Sequence, residues 1–356
     1  MFGGLIFRSI DDNLRFIIKA ADITSFLENL SDIMNTPILL ITFNRPEQTR
    51  KVLSAIREAK PEELFIAQDG AREGNQKDIE QCSLVRHVIS EMIDWNCNLH
   101  TRFSEVNLGC GPGPATAITW FFDHVEQGII IEDDALPHPD FFLYCEELLL
   151  KYKDDNDVRA IGSMHLDNLS YGDGSYYFSM MNRTLCAWAT WSRAWKDFDY
   201  YHRNISRKQL NQVLKGYGCA LRMREYWCDR LAEIQKDALK ETSWDQQFWI
   251  SIWLHKGKGI MPNVNLCKNI GFDQFGTHTT NPNSIGANRE THSILPLKHP
   301  TDESVKHKSD QRFQEIYFEP WNYGREGRKR LVFRLNKRMK RLIGHEGPWL
   351  KKKTNK

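Results

Sequence analysis

Between Pro37 and Ile131 the chain alternates short apolar runs with longer amphipathic ones, and that alternation leaves few folds open. Pro37–Phe43, Leu64–Ala67, Leu99–Phe103 and Ile129–Ile131 have the length and aliphatic content of strands. Glu47–Lys60, Ile79–Trp95 and Pro114–Val125 lie between them as helices. The first of these carries Val52, Leu53 and Ile56 on one face, and Pro46 sits at its first position, where a missing N–H costs nothing. Strands that alternate with helices through short connections build a parallel sheet joined by crossovers. An α/β fold is therefore expected, Rossmann-like, with a mostly parallel sheet flanked by helices.

The fourth strand ends unusually. Gly128-Ile129-Ile130-Ile131 runs straight into Glu132-Asp133-Asp134. Adjacent like charges at the end of a buried strand repel unless a cation or a wet cleft relieves them. In open α/β sheets the ligand cleft lies outside the carboxyl ends of the strands. Carboxylates there suit a hard divalent ion, Mg2+ or Mn2+, whose remaining positions phosphate oxygens and water fill. Asp134 is the expected metal ligand, Asp133 a contact to ribose or a sugar hydroxyl, and Glu132 a side chain turned back into the structure. The plainer reading, acids favouring the start of the next helix, explains one carboxylate better than three.

Other strand ends add to this. Arg45 follows the first strand and could meet a base or a phosphate. Asp69 follows the second and could accept from a pyrimidine N3–H. After the third comes Asn107-Leu108-Gly109-Cys110-Gly111-Pro112-Gly113-Pro114, which looks like a dinucleotide loop. It arrives two strands too late for that fingerprint, and its prolines remove amide donors, so its glycines are read as letting backbone pass close to a nucleotide. Asp245, in the first turn of a helix over Trp244–His255, is the candidate general base. Ser243 and Gln246 have capping-box spacing there. A loop over Asn269–Asn283 holds two glycines and His278, a candidate second metal ligand in a lid.

Beyond Asp134 the reading is a helix over Pro137–Lys153, a strand over Val158–Gly162, an aromatic stretch over Ser175–Trp191, a polar helical insertion over Ile205–Lys240 and a strand over Ile260–Val264. Residues 1–35 form a leader to which no role is assigned. Residues 36–300 are taken as one domain, its nucleotide-binding half about 36–135 and its acceptor half about 136–300. Residues 301–356 form a basic extension. In it Leu331, Leu335, Met339 and Leu342 share one helical face among arginines and lysines, and Lys351-Lys352-Lys353 follow. Such a helix can lie on an anionic membrane surface.

Composition narrows the classes. A net charge of +2 over 356 residues argues neither for nor against nucleic acid, and no nucleic-acid partner is expected. The eight cysteines lack CxxC or zinc spacing and read as reduced thiols of a cytosolic protein. No segment reaches membrane-span length, and the first twelve residues lack a secretory pattern. The expected location is cytoplasmic, with contact at the inner face of the membrane through the tail. Eleven tryptophans, several of them between Trp188 and Trp253, suggest either a Trp-rich core or aromatic walls to a cleft.

Taken together, Glu132-Asp133-Asp134 followed by Pro139-Asp140-Phe141-Phe142 resembles the GT-A glycosyltransferases, within them the inverting N-acetylglucosaminyltransferase I-like group and its bacterial relatives. The similarity spans roughly Pro37 to Thr280. It implies manganese on Asp134, uridine contacts from Arg45 and Asp69, and Asp245 as catalytic base. It also implies an acceptor-side aromatic stretch from Leu185 to Trp195, with Trp188 and Trp191, and beside the base Trp244. The loop with His278 resembles the family's donor-covering loop. Together with Asn107, Gly109 and Asp133 at the nucleotide, this makes the expected activity metal-dependent inverting transfer of a sugar, with N-acetylglucosamine the first choice. The donor would be a UDP-sugar and the acceptor a glycan or lipid-linked glycan, as in bacterial surface-polysaccharide synthesis. The insertion over Tyr200–Lys240, the basic tail and the missing N-terminal anchor depart from the family's animal members. Two rivals remain: a sugar-phosphate nucleotidyltransferase, which would need a glycine-rich basic loop where Asn44-Arg45-Pro46-Glu47 stands, and a non-catalytic glycan- or membrane-binding protein. A retaining transferase is a third.

Overall fold

The computed structural model describes residues 34–167, 169–181, 184, 186–236, 243–271 and 289–318. The leader up to residue 33, residues 272–288 with His278, and residues 319–356 of the basic extension lie outside them. Within the described residues the chain forms ten strands: β1 (Ile38–Thr42), β2 (Glu63–Gln68), β3 (Asn98–Phe103), β4 (Gln127–Glu132), β5 (Ala135–Pro137), β6 (Val158–Gly162), β7 (Tyr176–Ser179), β8 (Ala187–Trp191), β9 (Lys258–Pro262) and β10 (Cys267–Asn269). The helices are α1 (Pro46–Ala59), α2 (Gln76–Met92), α3 (Pro112–Phe122), α4 (Asp140–Lys151), α5 (Ser192–Trp195), α6 (Arg207–Gly216), α7 (Leu221–Lys236), α8 (Asp245–Leu254) and α9 (His307–Phe313). The chain divides into two compact units between His307 and Lys308.

Eight strands form one sheet in the order β3-β2-β1-β4-β8-β6-β9-β7, and β10 with β5 makes a separate antiparallel pair. Pairs β1–β2, β2–β3, β1–β4 and β6–β9 are parallel; β4–β8, β6–β8 and β7–β9 are antiparallel. The expected α/β architecture, a large and mostly parallel sheet flanked by helices, is the one observed. The chain leaves β1 toward β2 on one side and returns as β4 on the other. That reversal opens a crevice at the carboxyl ends of β1 and β4, where Arg45 and the three acids lie.

Sequence pattern explains the inner strands. Ile38, Leu39 and Leu40 in β1 and Ile129, Ile130 and Ile131 in β4 are fully buried, because helices cover both faces. Gly128 lets α3 press on β4: a Cβ there would fall 2.3 Å from the Phe121 ring and 2.8 Å from the Pro37 carbonyl. The polar stretch read as one helical insertion is two helices, since Gly218, at φ +75°, breaks it between α6 and α7. Helix α8 is buried all round from Gln247 to Trp253. Trp244 and Phe248 pack toward Trp188 on one side of it, while Trp249 and Trp253 meet Trp227 on the other.

Candidate active site at the carboxyl edge of the sheet

Each functional side chain is held by a local reason. Asp133 accepts the Phe43 amide at 3.0 Å, which ties the end of β4 to the end of β1. The Phe43 carbonyl in turn accepts from Gln68 Nε2 at 3.0 Å, and Gln68 also donates to the Cys82 carbonyl and accepts from Arg86. Asn44 donates to Asp78 at 2.8 Å, and Arg72 grips the same carboxylate. Asp78 is buried, and the Arg72 hydrogen bond holds its carboxyl below the ordinary range despite that burial. Residues 43–45 are thus fixed from both flanks. Pro46 and Thr49 then begin α1, with the Thr49 amide donating to the Arg45 carbonyl.

From this anchored turn Arg45 Nη1 reaches Asp134 Oδ2 at 2.8 Å and Asp133 Oδ1 at 3.7 Å. The pair is mostly removed from solvent, the side chains of Arg45 and Asp134 being 16% and 14% exposed. Asp134 is enclosed on its other side by β10: its carbonyl accepts the Ile270 amide at 2.8 Å, and a Cβ on Gly271 would lie 2.2 Å from its Oδ2. Burial pushes the Asp133 carboxyl up, against the pull of Arg45. Glu132 is also pushed up, by burial first and then by Asp134, Asp133 and Asp245. Asp245 is thus among the charges felt at the acidic strand end.

Asp245 gets there through aromatic packing. Trp244 stacks on Trp188 with ring centroids 5.4 Å apart, and Trp188 pairs in register with Ile130 of β4. The start of α8 is thereby pinned near the end of β4. Burial raises the Asp245 carboxyl, opposed by the Ser243 hydroxyl, by amides at the helix start and by Arg230. The capping box expected from Ser243 and Gln246 does not form: Trp244 is the cap residue without a side-chain bond, and Gln246 Oε1 instead accepts from Arg230 at 2.6 Å.

Asp69, Asn107 and Gly109 come together, in an arrangement the sequence reading did not foresee. Asp69 accepts from the Leu108, Gly109 and Gly70 amides at 2.8, 2.9 and 2.9 Å, and from Asn107 Nδ2 at 3.0 Å. Asn107 also donates to the Gly70 carbonyl at 2.8 Å. The carboxylate expected to meet a base is therefore the organiser of the glycine-rich loop. Burial raises its pKa, and the loop amides pull it back. Gly109, at φ +83°, supplies the left-handed residue this knot requires.

The aromatic acceptor wall is a correction. Trp188, Trp191 and Trp244 are 0%, 2% and 4% exposed. Trp188 and Trp244 belong to the core that includes Leu39, Phe65, Ile118 and Phe121. Trp191 turns the other way, donates to the Leu149 carbonyl at 3.1 Å and lies under the Arg193 guanidinium. Three rings that seal the sheet cannot stack on a sugar. His278 lies outside the described residues.

Two contributors went unread in the sequence. Gln68 is a polar residue ending an apolar strand, which was the available signal. Gly271 gave none, because its need arises only when β10 folds across Asp134. Among the described residues no three His, Cys, Asp or Glu side chains are grouped closely enough to hold a metal by themselves. The donor set at the strand end, a half-buried carboxylate with a second beside it, still fits a hard divalent ion whose other ligands are phosphate and water. All eight cysteines are free thiols. No helix among the described residues is long and apolar enough to cross a membrane.

The chain matches no protein-family model and no curated protein. Solved structures give partial likenesses. HddC from Yersinia pseudotuberculosis aligns over 46% of this chain and 80% of that one, at 8% identity and a TM-score of 0.28. A UDP-glucose pyrophosphorylase complexed with UDP-glucose aligns over 46% and 79%, at 12% identity and 0.27. The 4-diphosphocytidyl-2C-methyl-D-erythritol synthase from Anaerococcus prevotii aligns over 46% and 74%, at 10% identity and 0.28. Likeness at this level carries no argument about the chemistry of this chain.

Proposed function

We propose that this chain is a metal-dependent transferase acting on a nucleotide-diphosphate sugar, and within that class an inverting glycosyltransferase. One observation carries the reading: Arg45, Asp133 and Asp134 converge at the topological switch point, and the Trp244–Trp188 stack packs the start of the Asp245 helix onto the strand beside them. Asp134 would hold Mg2+ or Mn2+, and the bound ion would neutralise charge developing on the diphosphate. Arg45 adds a guanidinium suited to phosphate. The Asp69 knot holds the loop of Asn107 and Gly109 as one wall of the nucleotide site, with Asp133 facing the ribose. Asp245 would take the proton from the acceptor hydroxyl as it attacks the anomeric carbon and the nucleoside diphosphate leaves. A carboxyl raised by burial is a better proton acceptor near neutral pH than an ordinary one. UDP-N-acetylglucosamine remains the first donor to try, and a glycan or lipid-linked glycan the first acceptor.

The second reading is nucleotidyl transfer to a sugar phosphate. A pyrophosphorylase and a synthase of a diphosphocytidyl compound are among the partial likenesses, which are too weak to favour it. The loop after β1 supports it less, because Phe43-Asn44-Arg45-Pro46 offers one cation and no glycine to a triphosphate. One experiment separates the two. Metal-dependent release of UDP from a UDP-sugar is expected, and pyrophosphate release from UTP and a sugar phosphate would replace the first reading by the second. Asp245→Asn should abolish transfer while UDP still binds; normal turnover by that variant would remove Asp245 from the mechanism.

A further inference from the structure

We propose that Asp140 is a positioning residue of the site: it staples residues 290–295 across the closed end of the β5–β10 ribbon, and so holds the ribbon's open end against Asp134. The role of Asp134 rests on the reading above; the staple itself does not. The ribbon is short. Its three pairs are Cys267 with Pro137, Lys268 with Leu136 and Asn269 with Ala135. Two strands of that length do not hold together in water on their own. Yet the open end sets the surroundings of Asp134, whose carbonyl accepts the Ile270 amide at 2.8 Å and whose carboxylate packs against Gly271. Whatever steadies the ribbon steadies that carboxylate.

The steadying contacts gather at the other end. The His138 amide donates to the Leu266 carbonyl at 2.8 Å, one step beyond the last pair. There a third segment joins the chain leaving β5 to the chain entering β10. Asn265 Nδ2 donates to the Cys267 and Glu290 carbonyls at 2.8 and 3.2 Å, and the Asn265 carbonyl accepts the His292 amide at 2.9 Å. The next three residues turn to Asp140, whose Oδ2 accepts from Ser293 Oγ at 2.6 Å and from the Ile294 and Leu295 amides at 2.9 and 3.2 Å. Ile294 is buried beside it. An acid is favourable at a helix start in any case, and Asp140 opens α4. Its Oδ2, however, is spent on a segment 153 positions later. Burial raises the Asp140 carboxyl, but the Ser293 hydroxyl, the two amides and His138 together hold it below the ordinary range. The staple is therefore a set of charge-assisted bonds, stronger than neutral ones.

Amide hydrogen exchange on the full chain reads the ribbon directly and needs no ligand. Asp140→Ala should speed exchange at the Ile270 amide by about tenfold or more and leave the amides of β1 and β4 unchanged. Mn2+-dependent UDP affinity should fall about tenfold in the same variant. Asp140→Asn keeps an acceptor oxygen for the three donors and should stay near wild type in both. Asp173→Ala is the control: Asp173 holds the same segment further on, accepting the Thr301 amide and hydroxyl at 3.1 and 2.7 Å. It should lower the melting temperature without changing Ile270 exchange or UDP affinity. Should Asp140→Ala fail to fold, Ser293→Ala removes one of the three donors and should give a smaller change in the same direction. Unchanged Ile270 exchange in Asp140→Ala, or equal acceleration in Asp173→Ala, overturns the staple. Faster exchange with wild-type UDP affinity leaves the ribbon stapled and removes Asp140 from the site. Faster exchange in a protein whose wild type binds no UDP with Mn2+ supports the staple and overturns the metal reading instead.

Discussion

Gly271 offers the sharpest test of the site's geometry, because its neighbour is the proposed metal acid. An ideal Cβ on this residue would lie 2.2 Å from Asp134 Oδ2 and 2.8 Å from both Cβ and Cγ of Asp134. Ordinary contact requires roughly 3.4 Å or more, so the first clash is short by roughly 1 Å. Two movements could relieve it. The carboxylate can rotate, which breaks its contact with Arg45, or β10 can lift from β5, which breaks the pairing of Asn269 with Ala135. Overpacking of this kind costs about 1–3 kcal/mol. Gly271→Ala should therefore lower stability by that amount in chemical denaturation. Because one movement turns the Asp134 carboxylate and the other removes the backbone packed against it, Mn2+-dependent UDP affinity should fall about tenfold, equivalent to about 1.4 kcal/mol. In an Asp134→Ala background two of the three clashing atoms are gone, so the stability cost of the second substitution should shrink, a coupling that a double-mutant cycle measures. Wild-type stability together with wild-type UDP affinity in Gly271→Ala would refute the close approach of β10 to this carboxylate.

Two further outcomes follow from groups that frame the site. Trp188→Ala empties a fully buried position and should cost about 3–5 kcal/mol in chemical denaturation; a normal stability with a raised acceptor KM would instead return this ring to a cleft wall. Asp78→Asn should cost about 1–2 kcal/mol at pH 7, the exposed Arg72 partner limiting the loss. The folded pKa of Asp78 lies below its ordinary value, so its contribution is complete above about pH 4 and fades as pH falls through the folded value. The difference between wild type and variant should accordingly narrow in denaturation at pH 3 compared with pH 7, and a difference that widens in acid would contradict the assigned charge state.

The inner half of the fold was legible because its strands are covered on both faces. Continuous aliphatic runs such as Ile38–Leu40 and Ile129–Ile131 leave little choice of element, and the Val158–Gly162 strand was placed residue for residue. Strand direction beyond β4 was not legible. Nothing in Ala187–Trp191 says that it runs against β4, because an antiparallel strand buried on both faces carries the same apolar run as a parallel one. The same ambiguity misplaced Trp188. An aromatic side chain near a site can face solvent or core, and only the Ile130–Trp188 register assigns it to the core. For Asp69 the residue type was right for hydrogen bonding, but the partner depended on a loop that returns nearly forty positions later.

Three adjacent carboxylates at a strand end are the feature most in need of physical explanation, and the structure supplies a different answer for each. Asp133 receives a backbone amide from the neighbouring strand, which fixes its direction and compensates part of its burial. Asp134 receives a guanidinium, with Arg45 Nη1 2.8 Å from its Oδ2. Glu132 is pushed toward its neutral form by burial and by the other acids, so the cluster need not carry three full charges. The Trp188–Trp244 stack then brings a fourth acid, Asp245, into the same field. A cluster built only to cap a helix would gain nothing from that fourth charge and would lose stability by its repulsion. Under the proposed function that placement is accounted for, because a divalent cation would offset the strand-end acids and Asp245 would accept the acceptor's proton.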